Sequence, residues 1–388
     1  MQLNCIFVFP SMCCAQAKST FFLILSAIAV GCSSPNPTPV PVTPTPTPEP
    51  KLEGNISLKK LVLEQTDEKG LPLWKIKAQT ANYSQDRQKA LVNIPEGTLF
   101  QDGKLVLEVS AKEGEIWEDG KQVFLKGDIV ATDPRNGAVL RGQELEWRPK
   151  EDLLIVRNNV TGTHPQIQAK AKSGRYLTRT QKLELTGDII ATSKDPSLQL
   201  KTQHLIWQIP NQLVTADKPL EVQRYQQNQF SDRIVGNSGV VNLKTKTATL
   251  KQNVQLVSID PPIQINGNSA NWNLNTQKVT SDLPLKIWHR QEQVLVTANR
   301  GEVNLQQKTA VLTGKAVAIA NRNQARLSTN QIEWNIATQL LKTNSQVIYQ
   351  QSNPPLKLTG SSGVGKLQDQ TFVVSGGNNQ RVVTEIIP

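Results

Sequence analysis

From residue 56 onward the chain alternates apolar and polar positions with a period of two, as in Leu183-Glu184-Leu185-Thr186 and Lys246-Thr247-Ala248-Thr249-Leu250. Successive side chains of an extended strand point to opposite faces, so this pattern predicts strands with one buried face. No stretch keeps the 3.6-residue spacing of an amphipathic helix. Pairs such as Gly127-Asp128, Asn136-Gly137 and Asp195-Pro196 punctuate the alternation and predict hairpin turns between neighbouring strands.

A longer period overlies the short one. Gly174 is followed by Leu185, Ile189, Trp207, Val214 and Leu220 at offsets of 11, 15, 33, 40 and 46 residues. The same offsets lead from Gly114 to Leu125, Ile129, Trp147, Leu154 and Val160, and from Gly239 to Leu250, Val254, Trp272, Val279 and Leu285. They lead again from Gly301 to Leu312, Ala316, Trp334, Leu341 and Val347, and a fifth unit opens with Gly363 and Val374. Successive glycines stand 60, 65, 62 and 62 residues apart while Gly-to-Trp stays at 33, so insertions belong in loops between each Trp and the next Gly. The prediction is one elongated all-β body of stacked antiparallel units sharing a continuous core. The repeated tryptophans are most simply residues that fill its layers.

Composition narrows the function. The formal charge is +11 over 388 residues, but Lys and Arg stand singly among Gln, Asn and Thr, and aromatics make up 5%. Nucleic-acid binding calls for basic clusters interleaved with stacking rings, so no nucleic-acid partner is expected, whereas another anionic partner fits. All four cysteines, Cys5, Cys13, Cys14 and Cys32, precede residue 33, which leaves the body without disulfides or thiolate metal sites.

The N-terminus carries the address. Lys18 precedes an apolar run from Phe21 to Val30, and Gly31-Cys32-Ser33-Ser34 follows. A charge, a short hydrophobic core and small residues are the order of a secretory signal, too short to cross a bilayer comfortably. Residues 1–31 are therefore expected to be a signal peptide, with Met12 a second possible start. Ala29-Val30-Gly31-Cys32 resembles a bacterial lipobox, which makes Cys32 the expected lipidation site; Ala29 stands where that motif usually has Leu. Residues 35–50 hold eight prolines in sixteen positions. With half its amide donors missing this stretch forms neither helix nor ladder, and residues 32–54 are expected to act as anchor and extended spacer, the proline run alone reaching roughly 50 Å.

The first folded segment carries a resemblance. Trp74-x-x-x-Ala78-x-x-Ala81-x-Tyr83, Phe100 before the Asp102-Gly103 turn, Ala111-x-x-Gly114 and Leu125-x-Gly127-Asp128-Ile129 follow in an order similar to that of LptC, the periplasmic component of the lipopolysaccharide export machine. Residues 55–165 resemble that family's domain. Residues 166–388, with Ala171-x-x-Gly174-x-Tyr176 and Leu185-x-Gly187-Asp188-Ile189, resemble LptA/OstA-like repeats. LptC proteins are commonly about half this length and carry a transmembrane helix, so the chain looks like an extended, lipid-anchored form of cyanobacterial type.

The resemblance implies an elongated β-jelly roll, V-shaped and open along one side. It would accept lipopolysaccharide from the membrane subunits of an ABC transporter and pass it to an LptA-like bridge or an outer-membrane translocon. The expected location is the periplasm, anchored to the inner membrane. Stacked strands that point Leu, Ile and Val inward give acyl chains a continuous apolar trough, with Leu125, Ile129, Leu185, Ile189, Leu250, Val254 and Leu312 as the candidate lining. Residues 56–65 and 371–386 are expected as edge strands at the two ends.

No enzyme is expected, and no cofactor. His164, His204 and His289 are isolated, without metal-ligand spacing, and are expected at solvated or loop positions. Glu144 and Glu146 flank Leu145 and are expected to point outward. No catalytic triad and no phosphate-cradling Gly-Lys-Ser/Thr loop is present, so energy for transport would come from the transporter. The alternative function is a β-repeat lipoprotein acting as scaffold or carbohydrate-binding module, with the trough filled by its own side chains.

Overall fold

The computed structural model describes residues 57–388, apart from 87, 118–121, 228, 378–380 and 387–388. The signal segment, Cys32 and the proline-rich stretch lie outside the described residues. Within them thirty strands form one antiparallel sheet, and the only helical turn is Pro149–Glu151. The strands follow chain order as a meander.

Nine times, two consecutive short strands lie end to end along the same neighbours. Leu213–Ala216 and Leu220–Gln226, for example, both pair with Leu198–Gln208. The thirty strands therefore make twenty-one rungs. Long strands carry the same interruption internally, with register shifts between Lys126 and Ile129, Thr186 and Ile189, Lys251 and Val254, and Thr313 and Ala316.

Gly127-Asp128 sits at one of these shifts, with φ of 75° and 47°, and Gly187-Asp188 at another, with 82° and 45°. These pairs are bulges in mid-strand, not the hairpin turns expected from composition, because two left-handed residues serve either purpose. Asn136-Gly137 and Asp195-Pro196 do lie in hairpin turns. The bulge preserves parity, so Leu125 and Ile129 face the same side. It also bends the rung, and the bends fold the sheet into two halves whose inner faces share one hydrophobic core.

The long period of the sequence is the register of this sheet. Gly114, Gly174, Gly239, Gly301 and Gly363 stand directly opposite Leu125, Leu185, Leu250, Leu312 and Val374. Trp147, Trp207, Trp272 and Trp334 face Val123, Leu183, Ala248 and Ala310 on one side, and Leu154, Val214, Val279 and Leu341 on the other. One repeat is four rungs, about 19 Å of stack at roughly 4.8 Å per strand.

Among the described residues both ends are edges. Ser57–Thr66 pairs only with Pro72–Tyr83, while Val373–Ser375 and Val383–Ile386 pair with Ser362–Gly365 and Pro355–Gly360 and carry no further partner among the described residues. The C-terminal stretch is not all tail, however. Leu367, Phe372 and Val374 are buried, and the Phe372 ring stacks on Tyr349 at 5.3 Å.

Candidate functional site

The interior is a continuous apolar wall. Following the register from rung to rung, Val123, Trp147, Leu154, Tyr176, Leu183, Trp207 and Val214 stand side by side, all buried, and the row continues through Trp272 to Trp334. The seven candidate lining residues, Leu125, Ile129, Leu185, Ile189, Leu250, Val254 and Leu312, all point into this core and none is more than 4% exposed. Lys126 and Thr186, of opposite parity, are exposed.

The trough expected between the walls is filled by these side chains themselves, and the glycine row shows how tightly. A Cβ at Gly114 would lie 2.8 Å from both Leu125 and Val92. Enclosed apolar space remains in places, among them a cavity of about 40 Å³ lined by Leu140, Ile167, Ala169, Leu183, Leu205 and Trp207 among others, and a smaller one of about 10 Å³ lined by Val254, Leu256, Ile265 and Val303 among others.

Turns stack along each edge of the bent sheet. On one edge the first amide of each turn donates to the last carbonyl of an earlier one: Thr178 to Asp152, Ile209 to Gln181, Leu243 to Gln212, Leu274 to Lys246, Leu305 to Gln277 and Ile336 to Lys308, at 2.8–3.2 Å. The other edge repeats the device, with Tyr225 donating to Ser197, Ile259 to Ser231, Arg290 to Pro262 and Asn321 to Gln293.

The two edges meet. Arg179 Nη1 lies 2.8 Å from Asp102, Asn136 Nδ2 donates to Gln181 Oε1 at 2.8 Å, and Lys246 Nζ lies 2.8 Å from Asp195. Farther along, Arg224 donates to Gln277, Lys308 Nζ lies 2.7 Å from Asp260, and Asn323 Nδ2 donates to the Leu367 carbonyl. The side expected to be open is thus bridged by a polar clasp, roughly one link per turn. Beneath it side chains of one edge rest on tryptophans of the other. His164 meets Trp207 edge-on at 4.8 Å, the Arg224 guanidinium stands 5.4 Å over Trp272, and His289 lies 6.1 Å from Trp334.

Among the described residues buried charge is confined to a few satisfied groups. The Asp133 carboxylate accepts from Tyr176 Oη at 2.7 Å and from Arg135 Nε and Nη2 at 2.9 and 2.6 Å. Burial, and then the hydrogen bond to Asp133, pushes the Tyr176 phenol up. Glu146 is buried, not outward and exposed as expected, because Arg148 and Arg157 reach it at 2.6 and 2.8 Å. Burial alone would raise its carboxyl, and the two guanidiniums more than offset this, holding it below the usual carboxylate range.

His164 lies in a loop, as expected, whereas His204 and His289 lie within the strands Leu198–Gln208 and Leu285–His289. His289 is buried, and burial lowers both it and His164. His204 bridges Asp217 and Glu184, and its contact with Asp217 raises it. Among the described residues no group of three or more His, Cys, Asp or Glu could hold a metal ion.

The LptC-related lipopolysaccharide-assembly family matches residues 21–165, 151–224 and 287–378. The chain belongs to this family. No curated protein matches it significantly. The matched parts of this LptC-family chain contain the glycines at 114, 174, 301 and 363 and the tryptophans at 147, 207 and 334, and the intervening stretch keeps the same register with Gly239 and Trp272. Membership implies a part in lipopolysaccharide transport; the family is a transport and bridging one, periplasmic and inner-membrane-associated.

Proposed function

We propose that this LptC-family protein accepts lipopolysaccharide from the membrane subunits of an ABC transporter and carries its acyl chains through the interior toward an LptA-like bridge or the outer-membrane translocon. The observation that carries this reading is the unbroken inward-facing apolar wall, which passes without a break across residue 165, the proposed junction between an LptC-like domain at 55–165 and a repeat extension at 166–388. Each methylene moved from water into such a wall gains about 0.8 kcal/mol, less what the side chains it displaces lose. The half-exposed links Lys246–Asp195 and Lys308–Asp260 contribute at most about 1 kcal/mol each, so these two oppose opening only weakly. The net charge of +11 suits an anionic cargo.

Photoreactive residues at Leu125, Ile129, Leu185, Ile189, Leu250, Val254 and Leu312 should crosslink to lipopolysaccharide in living cells, and at Lys126 or Thr186 they should not. Equal labelling at both parities would refute the interior route. A second reading is favoured by the filled interior: a scaffold whose trough is closed by its own side chains, in which case none of the nine sites labels. The anchor is proposed at Cys32. Fatty-acid labelling should mark the parent and not Cys32→Ala, and equal labelling would sink the lipoprotein assignment.

A further inference from the structure

Four tryptophans occupy equivalent places four rungs apart on one wall, and each has the same defect. Trp147, Trp207, Trp272 and Trp334 are 0%, 3%, 0% and 1% exposed, and none of their indole Nε1–H groups has a hydrogen-bond partner among the described residues. Trp74, near the N-terminal end, shares the feature. An indole nitrogen is a donor only, and a buried donor left unpaired is costly enough that native interiors rarely tolerate one. Phe or Leu would fill the layer without that cost. Other polar aromatic tips here are satisfied: Tyr176 donates to Asp133 at 2.7 Å and Tyr349 to Gln351 at 2.9 Å.

We propose that the indole N–H groups of Trp147, Trp207, Trp272 and Trp334 are a ladder of donors for the carbonyl and hydroxyl oxygens of an acylated lipid moving along the interior. The inference rests on the lipid-carrying role proposed above and adds which chain atoms recognise the cargo. The occupant must be apolar over most of its length, to replace the Leu, Ile and Val side chains around each indole, yet carry acceptor oxygens at intervals. Ester- and amide-linked hydroxyacyl chains have that composition, whereas a plain hydrocarbon lacks the acceptors and a saccharide lacks the apolar body. Trp207 lines the apolar cavity, so its ring already borders free space. His164, Arg224 and His289 pack on three of the four rings and hold them in place, which makes each donor a fixed station about 19 Å from the next.

The test uses the full-length protein and the variants Trp207→Phe and Trp272→Phe, which keep a ring and delete the donor. Binding of purified lipid A and of hexadecane is compared, with thermal stability measured alongside. Lipid A binding should weaken about threefold to tenfold per substitution, as for the loss of one hydrogen bond, with hexadecane binding unchanged; the smaller ring lowers the melting temperature by its own cavity, which affects both ligands alike. In the parent, the indole Nε1–H resonances should shift on adding lipid A and not on adding hexadecane. Unchanged lipid A binding, or equal weakening toward both ligands, overturns the proposal while leaving lipid transport intact. A parent that binds hexadecane but not lipid A, or neither, overturns the transport role with it.

Discussion

Gly301 and Leu312 face each other across the ladder so closely that a Cβ on the glycine would stand 2.7 Å from Leu312 Cδ2 and 3.0 Å from Leu285 Cδ1. The backbone of Gly301 is ordinary extended strand, so the constraint is space and not conformation. In this sheet glycine makes room for a large residue of the neighbouring rung, once per repeat.

Gly301→Val should therefore overpack the core and cost about 1–3 kcal/mol, read as a lower melting temperature. Leu312→Ala alone should also destabilise, by leaving a cavity, but in the double variant the two losses should add to less than their sum. Strict additivity would mean the two residues do not share this space.

The offsets of 11, 33 and 40 were legible in the sequence because they are distances between facing residues in a meander with constant rung lengths. Inward parity at Leu125, Ile129 and their equivalents was legible for the same reason. The clasp was not: Asp102 and Arg179, or Asp195 and Lys246, lie 77 and 51 residues apart with no periodic signature, and only the bend of the rungs brings them together. Nor was the burial of Glu146, which depends on Arg157 arriving from the next rung. The Gly127-Asp128 bulge was misread because its two left-handed residues are also those of a tight hairpin.

Stability should depend on pH through histidines of opposite sign. His204, raised by Asp217 and Glu184, contributes stability that is fully present below its unfolded pKa of about 6.5 and is lost as pH rises through the higher folded value. His289 and His164, lowered by burial, resist protonation when folded, so their effect is a loss of stability as pH falls below about 6.5. Melting temperatures across this range should show His204→Gln losing most on the acid side and His289→Gln flattening the acid decline. The reverse order would contradict these contacts.

The clasp offers a way to ask how cargo gets in. The chain beyond residue 32 has no cysteine, so Asp195→Cys with Lys246→Cys can be bridged by a short bis-maleimide across the mouth. Pinned protein should fail to take up lipopolysaccharide, while the same variant capped with a monofunctional maleimide should load normally. Normal loading of the pinned form would mean that cargo is threaded from an end and the mouth stays shut.

The C-terminal edge makes a last prediction, and the burial of Phe372 sets where to cut. Removing residues 368–388 would strip Phe372 from Tyr349 and Val374 from Gly363, so loss of a partner after that deletion could reflect a damaged core. Removing residues 377–388 takes away only the strand Val383–Ile386, whose Val383 is 54% exposed and which is tied to the body by pairing with Pro355–Gly360 and by Lys357–Glu385 at 2.9 Å. An exposed apolar edge strand invites pairing with another chain, and a bridge component could add its own strand there. The 377–388 deletion should melt within a few degrees of the parent, as expected for the loss of one exposed strand, and should bind lipopolysaccharide while no longer pulling down its outward partner. Unchanged pull-down would move the junction to another edge, with Ser57–Thr66 at the opposite end the next strand to remove.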